Sequence, residues 1–212
     1  MNKFNYGRFT AWLLAIWFGI ALTAAALGWI QQAPNQPPLP LLVAVLIPFG
    51  IFGLWVAVSK PFREFVLSLD PRALTLVHAW RLGGFAFIAL ARYHLLPAGF
   101  AFPAGYGDIF IGATAAFAAS RLATPAHRRL FILWQILGMI DLVTAVTLGA
   151  TAFLWNPGGI TTAPMTVLPM SLIPTFAVPL YLLLHIICIA QARRWTKDHA
   201  ANIDAHLKPF AV

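Results

Sequence analysis

Long apolar stretches follow one another along this chain and are separated by short polar segments. A hydrocarbon core about 30 Å thick needs roughly 20 apolar residues per helix, and open sheet edges are unstable in lipid. The pattern therefore predicts an all-α polytopic bundle that forms one membrane domain, residues 1–212. We expect six transmembrane helices, paired as three antiparallel hairpins, at about 10–30, 39–59, 73–93, 98–120, 129–155 and 166–191.

The composition and the placement of charge support a membrane location. Hydrophobic residues make up 60% of the chain and charged residues only 9%, against about 25% in a soluble domain. The segments 31–38 and 156–165 carry no charge, whereas the alternate segments are basic, which predicts cytoplasmic N and C termini by the positive-inside rule. The basic residues of those alternate segments are Lys3, Arg8, Lys60, Arg63, Arg72, Arg121, Arg128, Arg129, Arg193, Arg194, Lys197 and Lys208.

The net charge of +8 does not indicate a nucleic-acid partner, because no basic face carries aromatic side chains arranged for base stacking. The basic residues set the topology and can contact anionic lipid head groups. We expect the partners to be the lipid bilayer, a small solute or a proton, and further copies of the chain or a larger membrane complex.

Three ionisable residues fall near the middle of three different apolar stretches. A charge at the bilayer centre costs from about 2.5 to more than 10 kcal/mol, so such residues usually face one another, water or a ligand. Counted at about 1.5 Å per residue from the cytoplasmic boundary, Arg81 lies about nine residues deep, and Asp108 and Asp141 about twelve. Both acids lie on faces of small residues that allow close helix approach. The sequence therefore predicts one cluster of Arg81, Asp108 and Asp141.

A second, more cytoplasmic layer of polar residues is predicted at about six to seven residues of depth, formed by His78, Gln135 and His185. On the third span, helical spacing places His78 and Arg81 on one stripe with Phe85, Ile88 and Arg92. The Gly-Tyr-Gly sequence before Asp108, together with Pro103, predicts a flexible or broken segment there.

The charge of the cluster is unbalanced, because one Arg stands against two Asp. Balance requires a protonated Asp, a protonated His78 or His185, or a bound cation. We interpret the cluster as a proton, cation or substrate site for small-solute translocation, with the polar layer as an inner gate or relay. The alternative is an accessory or assembly subunit in which a permanent Arg81–Asp salt bridge has a structural role and the second Asp is neutral.

A redox function is the second alternative, in which His78 and His185 act as axial ligands of a b-type haem. We predict no other cofactor and no metal centre, since a zinc site needs a third ligand near these histidines. The pattern does not indicate an enzyme. No clear arrangement of Ser, His and Asp suits hydrolysis within the membrane, and no Lys lies within a predicted span, which excludes a retinal-type Schiff base.

Proline is concentrated in the last span. Pro164, Pro169, Pro174 and Pro179 recur every five residues, and each proline beyond a first turn removes one helical hydrogen bond. This half of the span should be kinked or unwound. The carbonyl groups of Met165, Met170 and Thr175 should lose their amide partners, so that another helix, a water or a cation must satisfy them.

Two segments carry a family resemblance. The run LPAGFAFPAGYGD from Leu96 to Asp108, followed by Gly112, and the sequence LIPTF from Leu172, followed by Val178-Pro and Leu184-His185, resemble small multi-pass bacterial membrane proteins of unassigned function. The resemblance covers spans three to six. It implies a bacterial inner-membrane location and no activity.

Overall fold

The computed structural model describes residues 5–31 and 36–207, with side chains through Trp195. Lys3 and Lys208, and the side chain of Lys197, all used above to predict the topology, lie outside this description. The described residues form helices and no strand, which confirms the all-α prediction. The helices are α1 (Tyr6–Ala26), α2 (Leu39–Val58), α3 (Lys60–Ser68), α4 (Pro71–Leu76), α5 (Phe85–Arg92), α6 (Ala98–Phe117), α7 (Arg128–Trp155) and α8 (Val178–Leu207).

Five helical stretches of the described chain are long and apolar enough to cross a membrane: Tyr6–Ala26, Leu39–Val58, Pro71–Arg92, Pro125–Trp155 and Ile173–Trp195. The remaining predicted span, 98–120, the fourth in chain order, corresponds to α6, which is 20 residues long. It is not among the five because its proline, glycines, Tyr106 and Asp108 lower its mean hydropathy.

The first helix ends earlier than the predicted span 10–30. Gly28 adopts a positive φ of 74°, and the Trp29 amide donates to the Ala24 carbonyl at 2.9 Å, which closes the helix at its C-terminal end. Later helix starts follow local sequence signals. Asp70 caps α4 by accepting a hydrogen bond from the Arg72 amide at 3.0 Å, and Pro71 occupies the first position of the helix.

The third span, Pro71–Arg92, changes its winding at its centre. Between α4 and α5, residues Val77–Gly84 form a 3-10 helix, in which side chains three positions apart eclipse one another. The buried positions consequently recur every third residue: Thr75, His78, Arg81, Gly84 and Phe87. The stripe predicted at α-helical spacing is therefore wrong for Phe85, which is 61% exposed and does not share the buried face of His78 and Arg81.

The interior of the molecule lies between the third span and α6, α7 and α8. In α1 and α2, by contrast, only 11% and 6% of the residues of the apolar stretch are buried. The third span and α6 approach closely at glycines: a Cβ atom at Gly112 would lie 2.6 Å from the Leu82 nitrogen, and one at Gly84 would lie 2.6 Å from the Asp108 Cβ. This backbone proximity brings the charged residues of the two elements together.

The N-terminal half of the last span is irregular, as its prolines predict. A 3-10 turn at Ala163–Thr166 and a π-helical turn at Ile173–Ala177 precede α8. In α6, however, the predicted break before Asp108 is absent, because the helix runs without interruption through Pro103 and Gly107.

Candidate functional site

The three predicted charges meet inside the bundle. The Arg81 side chain has no exposed surface, and its Nε donates to Asp108 Oδ1 at 2.6 Å. Its Nη2 forms an ion pair with Asp141 Oδ2. One guanidinium thus bridges two carboxylates that come from α6 and α7. Each Asp side chain keeps 15% of its surface exposed, so the acids, unlike Arg81, reach the molecular surface.

Glycines provide the space for this cluster. A Cβ atom at Gly107 would collide with the Asp141 carboxylate, and one at Gly138 would collide with the His185 imidazole. Gly107 therefore serves close approach between α6 and α7, and not the flexibility that the sequence suggested. Gly138 also contributes its carbonyl oxygen, which accepts a hydrogen bond from Arg81 Nη1 at 3.3 Å.

The predicted polar layer joins the ion cluster through a continuous chain of hydrogen bonds. Arg81 Nη1 lies 3.3 Å from His185 Nε2, and His185 Nδ1 lies 2.5 Å from Gln135 Oε1. Gln135 Nε2 then donates to Thr75 Oγ1 at 3.1 Å, and Thr75 Oγ1 donates to the Pro71 carbonyl at 2.7 Å. The side chains of Arg81, His185, Gln135 and Thr75 are almost completely buried.

The chemistry of the partners gives one consistent direction of donation along this hydrogen-bond chain. A guanidinium has donors only, so His185 Nε2 must accept from Arg81 and cannot carry a proton. Since the Gln135 oxygen is an acceptor, His185 Nδ1 carries the proton and donates it. His185 is therefore neutral in this arrangement. The chain begins at Arg81, ends at the Pro71 carbonyl and holds the guanidinium in place.

His78 stands beside the chain and takes no part in it. Its imidazole stacks on that of His185, with ring centroids 3.9 Å apart and planes inclined by 18°. Both of its ring nitrogens are buried and lack hydrogen-bond partners in the described part of the chain. A buried polar group without a partner lowers the free energy of unfolding by about 1–3 kcal/mol. A histidine that served only for packing at position 78 would therefore destabilise the fold.

The two histidines do not fit the b-type haem predicted as an alternative. Axial ligation requires each imidazole to direct a nitrogen at one iron from opposite sides of a porphyrin. Here the ring faces contact each other, and both nitrogens of His185 already bond Arg81 and Gln135. A search of the described residues finds no group of three His, Cys, Asp or Glu side chains able to hold a metal ion.

The predicted freed carbonyl groups lie in the irregular half of the last span. The Met170 carbonyl accepts from the Ile173 amide at 3.0 Å, and the Thr175 carbonyl accepts from the Trp17 indole of α1 at 3.2 Å. Another helix thus supplies a donor, as the sequence analysis allowed. Met165 is buried and lines an apolar cavity of about 60 Å³ with Phe87, Phe100 and Ile173.

The sequence analysis missed Thr75 and Trp134. Thr75 precedes His78 by three residues, a spacing that would have been informative only if the 3-10 winding had been anticipated. Trp134 packs against His78 with ring centroids 5.9 Å apart, and its indole donates to Thr114 Oγ1 at 2.9 Å. Its position next to Gln135 on α7 was the available signal.

Comparison with known proteins identifies a family without a described activity. No curated protein and no solved structure matches the chain significantly. A family model described as "Domain of unknown function (DUF8737)" matches residues 36–193, which include the third span and every member of the ion cluster and hydrogen-bond chain. Because this match covers well over half of its residues, the chain belongs to the DUF8737 family.

Proposed function

We propose that this chain is a six-helix protein of the bacterial inner membrane in which a proton or another cation drives translocation of a small solute. In this proposal α6 also crosses the membrane, which brings the number of spans to six. The helices pair as three antiparallel hairpins, and both termini are cytoplasmic. The alternation of basic and uncharged segments supports the topology, and the 20-residue length of α6 supports the sixth span.

The observation that carries this proposal is the charge of the buried cluster. One guanidinium pairs with two carboxylates, so the fully ionised cluster has one negative charge in excess. His185 does not supply the missing charge, because it accepts a hydrogen bond from Arg81. An unbalanced buried charge costs several kcal/mol, so a proton on one carboxylate or on His78, or a bound monovalent cation, balances the site.

The exposure of the acids gives the balancing charge a route to the site. Asp108 and Asp141 each retain exposed surface while Arg81 has none, so the carboxylates are the charged groups of the cluster that a proton or cation from outside would meet first. When one carboxylate is neutralised, the ion pair between the third span and either α6 or α7 weakens. Occupancy of the site is thereby linked to the packing of two helices, which is the coupling that ion-driven translocation needs.

The hydrogen-bond chain supports the site by holding Arg81 and does not itself conduct protons. Its third member is the amide of Gln135, which would have to give up an N–H proton that it donates to Thr75. We therefore assign the chain a positioning role in this proposal and assign the exchange of charge to the carboxylates.

The experiment compares proton uptake by proteoliposomes that contain a pH dye, under a potential set by potassium and valinomycin. We expect D108N and D141N to lose the flux that wild-type protein supports. The matched control is D70N, because Asp70 is an exposed acid that caps α4, and asparagine caps a helix equally well. Equal flux in D108N, D141N and wild-type protein would refute the proposal.

A second measurement covers a transporter that moves protons only with its solute. Infrared difference spectra of protein in nanodiscs, recorded between acid and alkaline buffer, should show a carboxylic acid band that D108N or D141N removes and D70N retains. Absence of such a band, together with no effect of sodium or potassium ions on the spectrum, would leave the carboxylates without a mobile charge.

The pairing of Arg81 favours one other candidate, an accessory subunit with a structural ion cluster. All three guanidinium nitrogens form polar contacts, and removal of one member of a buried ion pair typically costs about 3–5 kcal/mol. In this case D108N and D141N would lower stability strongly, leave any flux of the wild type unchanged, and release a partner that co-purifies with wild-type protein in mild detergent.

A further inference from the structure

His78 occupies a position that the proposed site does not yet use. It lies one 3-10 turn before Arg81, on the same line of buried residues, so a rise of about 6 Å separates the two positions along the helix axis. Its side chain is fully buried, and neither ring nitrogen has a hydrogen-bond partner among the residues that the structure describes.

Among the described groups that contact one another around His78, only His78 has a nitrogen free to accept a proton. His185 and Tyr181 face it from α8, with ring centroids at 3.9 and 5.3 Å, Trp134 faces it from α7, and Arg81 lies on its own element. Both nitrogens of His185 are engaged, and Arg81 is always protonated. Tyrosine and tryptophan are poor bases at neutral pH.

We propose that His78 is the residue that accepts the proton released by Asp108 or Asp141 and returns it. This inference rests on the proposed function and names the group that serves the same site on its cytoplasmic side. In the transfer the carboxylic O–H bond breaks and an N–H bond forms on a His78 nitrogen, so the total charge of the site does not change. In the described part of the protein no hydrogen bond joins His78 to either carboxylate, so the transfer uses at least one bridging water.

The alternative is that His78 is only a ring that packs against His185. The two roles differ in what a ring without nitrogens would do. A phenyl group keeps the stacked contact and removes two buried polar atoms that have no partners, so H78F should unfold at the same temperature as wild-type protein or at a higher one. A packing role predicts that this variant also functions normally, whereas a proton-accepting role predicts that it does not.

The test measures proton uptake by proteoliposomes, as above, for H78F and for H78Q. Glutamine is polar but does not titrate, so it covers the case in which the phenyl ring fits poorly. We expect both variants to lose roughly tenfold or more of the initial rate while they keep the wild-type elution volume and melting temperature. Wild-type rates in both variants would overturn the inference.

Nuclear magnetic resonance of protein labelled with nitrogen-15 histidine, in nanodiscs, supplies a readout that requires no flux. The signal that H78F removes should change between neutral and charged imidazole as the pH is lowered, whereas the signal of His185 should remain that of the neutral form with the proton on Nδ1. A His78 signal that stays neutral over the range in which wild-type flux varies would also overturn the inference.

The outcomes separate this inference from the proposed function. If D108N and D141N abolish flux and both His78 variants retain it, the carboxylates work without His78 and only the inference fails. If the Asp variants retain flux, the proposed function fails, and the nitrogen spectra still decide whether His78 takes up a proton.

Discussion

The hydrogen-bond chain that holds Arg81 predicts a specific failure of additivity between Thr75 and Gln135. Both side chains are fully buried. The T75V substitution leaves Gln135 Nε2 without its acceptor, and Q135L leaves the His185 Nδ1–H group without its acceptor. Each substitution therefore leaves one buried donor without an acceptor, which lowers the free energy of unfolding by about 1–3 kcal/mol.

The double variant should cost no more than Q135L alone. With Leu at position 135 there is no side-chain amide that needs Thr75 as an acceptor. Valine at position 75 therefore leaves no further donor unpaired, and the unpaired donor that Q135L creates at His185 remains the one that matters. The coupling free energy between the two positions should then be about 1–3 kcal/mol, which is large for side chains joined by one neutral hydrogen bond.

Unfolding by SDS in mixed detergent micelles, followed by tryptophan fluorescence, measures the four free energies. T147V is the matched control, because the Thr147 hydroxyl donates only to the Val143 carbonyl of its own helix at 2.8 Å and strands no partner. We expect T147V to be neutral. Additive costs for T75V and Q135L would show that the hydrogen bond between Gln135 and Thr75 does not contribute to stability, and the proposed continuity of the hydrogen-bond chain would be refuted.

Three further predictions test other parts of the structure. R81K should cost about 3 kcal/mol or more in unfolding free energy, because an ammonium does not reproduce the fork of Arg81 between two carboxylates and leaves one acid without a partner. G112A should cost about 1–3 kcal/mol, since its Cβ would meet backbone of the third span at 2.6 Å, whereas G53A, with no atom within 4 Å, should be neutral or stabilising. W17F should lower the melting temperature and increase cleavage of α1 by protease, because the Thr175 carbonyl loses its indole donor, and a wild-type cleavage pattern would contradict that role.

Regular α-helices made part of this structure predictable. On α6, the predicted face of small residues around Asp108 is buried, at Ala101, Ala104, Gly112 and Ala115. Depth counting also placed Arg81 and both acids within reach of one another, because Asp108 and Asp141 lie in regular α-helices and only five residues of 3-10 helix, Val77 to Arg81, enter the count for Arg81.

The remaining features depend on interactions that no local pattern encodes. The 3-10 winding of Val77–Gly84 accompanies backbone contact with α6 at Gly84 and Gly112, and it altered the predicted face of α5. The hydrogen bonds from His185 through Gln135 to Thr75 form only when three helices have particular rotations about their axes. Depth alone placed these residues in one layer and gave neither their order nor the direction of donation.

The 3-10 segment also defines how this molecule could move. A 3-10 helix rises about 2.0 Å and turns about 120° per residue, against about 1.5 Å and 100° in an α-helix. If the eight residues Val77–Gly84 rewound as α-helix, the third span would shorten by about 4 Å and α5 would rotate by about 160° relative to α4. A change from 3-10 to α winding in the segment that carries Arg81 would therefore do two things. It would move Arg81 along the helix axis, and it would exchange the buried and exposed faces of α5.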